Sequence, residues 1–136
     1  MPLIDTSYFI ALLNPHDQLH ARAKAWSVHV TQGLVVTEYV IWETINFFSK
    51  PINRAKAHTL LAHLRSMESY EIIAASSELF EAGLKLHAER PDKEWSLTDC
   101  ISFVVMDERG ISSALTYDHH FEQAGFEALL RCDPPP

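Results

Sequence analysis

Short apolar runs at residues 3–4, 34–36, 71–74 and 113–116 are separated by stretches far longer than a hairpin turn, and these stretches carry helical periodicity. Strands alternating with helices require crossover connections, and crossovers build a mostly parallel sheet covered on both faces. The expected fold is therefore α/β, a three-layer domain with four to five strands. Residues 1–131 read as one domain, and 132–136 as a Pro-rich tail that can neither be helical nor join a ladder.

The helices have local punctuation. Thr6 or Ser7 can cap a segment at 8–13 that ends at Asn14-Pro15, and 16–32 repeats Leu19, Ala23, Trp26 and Val30 before Gly33. Thr37 caps the next helix, which breaks before Pro51, and 53–68 carries Ala57, Leu60, Leu61, Leu64 and Met67 on one side. Ser76-Ser77 opens a helix that runs to about residue 90. Ser96 opens a short, nearly all-apolar one that must be covered on most sides, and Arg109-Gly110 turns the chain into the strand at 113–116. Residues 126–130 offer an edge strand.

With 47% hydrophobic and 21% charged residues, the chain has enough apolar material for a core and lies outside collagen-like and disordered classes. The net charge of −7 argues against a uniformly basic nucleic-acid binder. The charge is, however, divided: residues 1–68 sum to +1 and residues 69–136 to −8, and no acid lies between Glu43 and Glu68. Two cysteines, Cys100 and Cys132, are too few for a disulfide framework. No leader and no apolar run of membrane length is evident, so a reduced, cytoplasmic setting without a membrane is expected.

In open parallel sheets, sites form at the carboxyl ends of the strands. Two expected strands end in acids there, at Asp5 and Asp118, while Asp99 lies in the first turn of the helix begun by Ser96. Glu43 shares a helix side with Tyr39 and Phe47, which predicts apolar and aromatic neighbours for its carboxylate. Four converging acids would repel one another, and a divalent cation removes the difficulty. An oxygen-rich set without organised His or Cys ligands suits Mg²⁺ or Mn²⁺ rather than zinc, and points to hydrolysis of a phosphodiester. Each acid also has a structural reading. Ser96-Leu97-Thr98-Asp99 fits a capping box, and strand-end Asp5 and Asp118 can bond the following backbone.

Asp5-Thr6-Ser7, Thr37 with Val40 and Glu43, Ser96-Leu97-Thr98-Asp99-Cys100, and Thr116-Tyr117-Asp118-His119-His120-Phe121 followed by Gly125-Phe126 occur in that order over nearly the whole chain. The arrangement resembles PIN-domain nucleases, in particular the compact VapC-type toxins of toxin–antitoxin pairs. The resemblance implies an Mg²⁺- or Mn²⁺-dependent endoribonuclease with catalytic acids at Asp5, Glu43, Asp99 and Asp118. Asp5 and Asp99 would be principal metal ligands, Asp118 would complete the shell, and Glu43 would act through water. Thr6, Ser7 and Thr116 would be supporting hydroxyls. It further implies an RNA substrate, homodimers, and a cognate antitoxin lying near residues 38–68. A non-catalytic PIN-like module that binds RNA or protein is the competing reading, and the full set of acids favours the enzyme.

On a helix over 53–68, Arg54, His58 and Arg65 fall within about 40° of one another. This stripe can meet RNA phosphates or acidic groups of an antitoxin. His16 and His20, at i and i+4, read as surface residues without a ligand set, and His119 and His120 remain unassigned. Trp42, Phe47 and Phe48 read as core or dimer contacts.

Overall fold

The computed structural model describes residues 1–31 and 33–136. Its strands are β1 (Leu3–Ile4), β2 (Leu34–Thr37), β3 (Tyr70–Ile73), β4 (Ser113–Leu115) and β5 (Glu127–Ala128). They form one sheet in the order β3-β2-β1-β4-β5, and every pairing is parallel. The helices are α1 (Thr6–Leu13), α2 (His20–His29), α3 (Glu38–Phe47), α4 (Pro51–Ser66), α5 (Ser77–Glu89), α6 (Leu97–Arg109) and α7 (His119–Gln123). Among the described residues none of them is long and apolar enough to cross a membrane.

Strand alternation sends neighbouring side chains into different layers. Ile4, Val36 and Leu115 join Tyr8, Phe9, Val40 and Leu64 on one side of the sheet, while Leu3, Val35 and Ala114 join Cys100, Phe103, Met106 and Phe121 on the other. Strands buried on both faces explain why the runs are continuously apolar rather than alternating.

Several helix boundaries follow their expected caps. Thr37, Ser76 and Ser96 each accept from a backbone N–H three residues on, and Gly110 takes the left-handed conformation (φ 66°) that ends α6. Others move. Residues 16–19 are turns rather than helix, because Asn14 Oδ1 accepts from His16 N (3.1 Å) and Asp17 Oδ1 from Leu19 N (2.8 Å). The expected end of that helix at Gln32 lies outside the described residues. His20 is half-buried rather than a surface residue, and its Nδ1 donates to Ala11 O (2.7 Å). Pro51 opens α4 at its first turn, where its missing N–H costs nothing. At 126–130 the edge strand is only two residues long and gives way to a 3₁₀ turn at Leu129–Arg131. The segment beyond is held to α2, with Trp26 Nε1 donating to Cys132 O (2.9 Å) and Arg22 Nε to Asp133 Oδ1 (3.0 Å).

The position of α6 depends on one small residue. Gly83 is the buried residue of α5, and a Cβ there would collide with the side chain of Ile101 on α6. Gly83→Ala is expected to force these helices apart and destabilise the protein by about 1–3 kcal/mol, read from urea unfolding. An unchanged midpoint would show that Ile101 can turn aside.

Candidate active site

The strand order reverses direction at β1 and β4, and the crevice outside the carboxyl ends of these two strands is where open α/β sheets bind ligands. β1 delivers Asp5 there, and β4 delivers Thr116 and then Asp118. Gly110 turns α6 almost directly into β4, so α6 runs opposite to the strands and its first turn, with Asp99, lies at the same edge. The preceding element is helix α5 rather than a strand, so Asp99 arrives from a helix pair.

Asp5 stands at the N-cap of α1, yet its side chain caps nothing. Its Oδ2 instead accepts from Thr116 Oγ1 (2.8 Å) and Ser7 Oγ (3.1 Å). Neither Thr6 nor Ser7 serves as the cap. Thr6 is the first helical residue, and its Oγ1 is buried without a hydrogen-bond partner among the described residues. Thr116 Oγ1 also accepts from Asp118 N (3.0 Å), so one hydroxyl bonds to both strand-end acids. Ser7 Oγ lies 3.2 Å from Thr116 Oγ1 and accepts from Tyr117 N (3.3 Å).

Asp99 and Asp118 both carry out their structural readings. Asp99 completes the capping box, its Oδ2 accepting from Ser96 N (3.2 Å), and Asp118 Oδ1 caps α7 by accepting from His120 N (2.9 Å). Asp99 Oδ1 and Asp118 Oδ2 take no part in hydrogen bonds among the described residues, which leaves an oxygen of each for a ligand.

Asp5 and Asp99 are both buried. Burial first, and the charge of Asp99 second, push the Asp5 carboxyl up to about 6, against the Thr116 hydroxyl, the Thr6 backbone N–H and the Ser7 hydroxyl. Asp99 is raised too, chiefly by burial and further by Asp118, with Ser96 and His120 opposing. Carboxylates whose charges oppose one another away from water favour a proton or a cation beside them. The donors, carboxylate and hydroxyl oxygens with the unpartnered Thr6 Oγ1, fit a hard divalent ion.

Glu43 departs from expectation. It is exposed, because Phe47 on its helix side is 57% exposed and neighbouring Trp42 68% exposed, while the Tyr39 hydroxyl is drawn to Ser76 O (3.0 Å). No hydrogen bond or ion pair among the described residues joins Glu43 to the other acids. It lies about 8 Å along α3 from the helix start at the carboxyl edge.

Of the two histidines that sequence reasoning left unassigned, His120 bridges the acids. Its Nδ1 lies 3.2 Å from Asp118 Oδ1 and 3.3 Å from Asp99 Oδ2, so an imidazole sits between two acids from different elements. His119 is more exposed, its Nδ1 3.7 Å from Asp118 Oδ1. Ligating atoms of Asp118, His119 and His120 lie within 4.8 Å of one another, so His nitrogen adjoins a set that the sequence suggested to be all oxygen. The Asp-His-His run at a strand end was the only local signal.

Arg54, His58 and Arg65 are all exposed on α4, away from these hydrogen bonds, and Arg54 Nε donates to Ser49 O (2.7 Å).

Comparison with known proteins agrees with this geometry. The chain is 27% identical over 126 residues to the 23S rRNA-specific endonuclease VapC20 of Mycobacterium tuberculosis strain H37Rv, which covers 93% of this chain and 95% of that protein. The crystal structure of Mycobacterium tuberculosis VapC20, described as a Sarcin-Ricin loop cleaving toxin, matches with a TM-score of 0.84 at 25% identity, over 93% of this chain and 96% of the other. The crystal structure of FitAcB from Neisseria gonorrhoeae, at 16% identity, shares the fold with a TM-score of 0.66 over 94% of this chain and 95% of that one. Residues 3–127 match the family described as PIN domain, from β1 through the first residue of β5 and across Asp5, Asp99 and Asp118, and the chain belongs to that family.

Proposed function

We propose that this chain is a metal-dependent endoribonuclease that hydrolyses RNA phosphodiester bonds, the toxin of a toxin–antitoxin pair. The observation that carries the reading is the buried Asp5–Asp99 pair at the sheet's switch point, with Asp118 beside it. Mg²⁺ fits the oxygen donors, and Mn²⁺ would substitute and better tolerate a neighbouring imidazole. When bound, the cation supplies positive charge beside the scissile phosphate and acidifies a water. The protein's own part is positional. Thr116 and Ser7 fix the Asp5 oxygen, Ser96 fixes Asp99, and the α7 cap fixes Asp118. Glu43, facing solvent, orients the attacking water, whose oxygen bonds to phosphorus as the bond from phosphorus to the leaving oxygen breaks.

The VapC20 relative is named for cleavage of 23S rRNA, so an RNA hairpin with the sarcin–ricin loop sequence is the first substrate to assay. Cutting that depends on Mg²⁺ or Mn²⁺ and stops with chelator supports the reading. Cutting that persists with chelator defeats it.

The antitoxin and a second copy of the chain are proposed to meet α3 and α4, where Trp42, Phe47 and Ile52 are exposed. A groove of about 360 Å³ there is lined by Ile41, Trp42, Leu61 and Arg65. The stripe of Arg54, His58 and Arg65 supplies the positive charge for RNA phosphates or acidic antitoxin groups. Reversing Arg54 and Arg65 to Glu is expected to weaken RNA binding or antitoxin binding. If RNA is the partner, the dependence of log affinity on log salt should flatten by about 1–2. Unchanged affinity for both partners would remove the stripe from the mechanism.

A further inference from the structure

Next to Asp118 in the chain stands a side chain that the catalytic reading does not use. Tyr117 lies between Thr116 and Asp118, and its backbone is fully engaged: its N–H donates to Ser7 Oγ (3.3 Å) and its carbonyl accepts from Arg131 Nη1 (2.8 Å). Its side chain contributes nothing to the core. The residue is 43% exposed, an aromatic ring in the chain between Thr116 and Asp118, whose side chains bond within the site. Arg131 is held in place three ways. Besides the bond to Tyr117 O, its Nε lies 3.2 Å from Glu122 Oε1 and its guanidinium carbon sits 4.6 Å from the centre of the Tyr117 ring. The backbone bonds and the guanidinium fix the ring before any ligand arrives, so a partner would bear little of the ordering cost.

A fixed, solvent-facing aromatic ring stacked on a guanidinium is the chemistry that receives an unpaired nucleobase. The ring offers a π-face and the arginine offers positive charge for the adjoining phosphate. We propose that Tyr117, positioned by Arg131, stacks a splayed base of single-stranded RNA next to the phosphate to be cut, and so sets which loop nucleotide the acids reach. The assignment rests on the endoribonuclease reading and adds the substrate's conformation, an unpaired nucleotide in a loop. Tyr117 takes no part in the bond-breaking step.

The test is binding of fluorescent RNA hairpins by anisotropy with chelator present, so that no cutting occurs, together with cleavage kinetics in Mg²⁺. Tyr117→Ala and Tyr117→Leu are expected to bind at least about tenfold more weakly and to raise KM far more than they lower kcat, whereas Tyr117→Phe retains binding. Arg131→Gln should give a smaller loss with a flatter salt dependence. Replacing the loop nucleotide by an abasic one should erase the difference between wild type and Tyr117→Ala. Circular dichroism and unfolding midpoints establish that each variant is folded. Wild type that binds and cuts while Tyr117→Ala binds within twofold overturns this proposal alone. The same holds if Tyr117→Ala loses antitoxin but not RNA. Wild type that binds no RNA overturns this proposal and the nuclease reading together.

Discussion

Asp5→Asn is expected to abolish RNA cleavage, by more than about a hundredfold, in a protein that still folds. Loss of a group that merely orients a metal ligand already costs about 10–100-fold, and Asp5 is proposed as a ligand itself. The amide is nearly isosteric, so Thr116 and Ser7 keep an oxygen to donate to, but the charge that would hold the cation is gone. Asp99→Asn should behave alike, because its retained oxygen still accepts from Ser96 N and preserves the capping box of α6. The measurement is initial cleavage rate of a labelled hairpin at saturating Mg²⁺ and Mn²⁺, with unfolding midpoints alongside. Variants that cut within a few-fold of wild type would mean that the acids shape the fold without doing the chemistry.

The same substitution is expected to make the metal-free protein more stable. Because the Asp5 carboxyl is raised to about 6 from its ordinary 3.8, the folded state holds its proton more tightly than the unfolded one. Stability in chelator therefore falls as pH rises between about 4 and 6, and above that window the charged Asp5 costs on the order of 3 kcal/mol. Asn carries no such cost. The variant should then exceed wild type by up to that amount at pH 7.5 and lose its advantage near pH 4. Adding Mg²⁺ or Mn²⁺ should reverse the order at neutral pH, since only wild type gains from binding the ion. Urea titrations across pH 4–7.5, with and without metal, read the difference directly. A gap that stays flat with pH would show that Asp5 is not held charged against its surroundings.

These expectations could be framed from sequence because the strand ends and helix starts carry their own signals. Leu3-Ile4 before Asp5, Ser96 three residues before Asp99, and Gly110 ahead of β4 each fix local backbone by steric or capping chemistry within a few residues. Glu43 was harder. Spacing of four identifies which residues share a helix side, but what covers that side depends on another part of the chain. Tyr39 turns to Ser76, and the expected wall around Glu43 does not form. His120 was illegible for the same reason. Its role comes from α6 meeting the β4–α7 turn, residues distant in sequence with no pattern linking them. At 16–19 two Asx turns outweighed an apolar spacing that continues past them.

Thr116 couples two of the acids through a single atom. One oxygen accepts from the Asp118 backbone and donates to Asp5, so the gap between a β1 acid and a β4 acid is set by the reach of one hydroxyl rather than by the sheet alone. A branched apolar residue of the same volume, such as valine, would leave the strand intact and remove one bond from each acid at once, with Asp5 then held by Ser7 and Asp118 by the α7 cap. Only serine shares that group at the same bond length. Any redesign that seeks to admit a larger cation would begin at position 116, where the spacing is set, before altering the acids themselves.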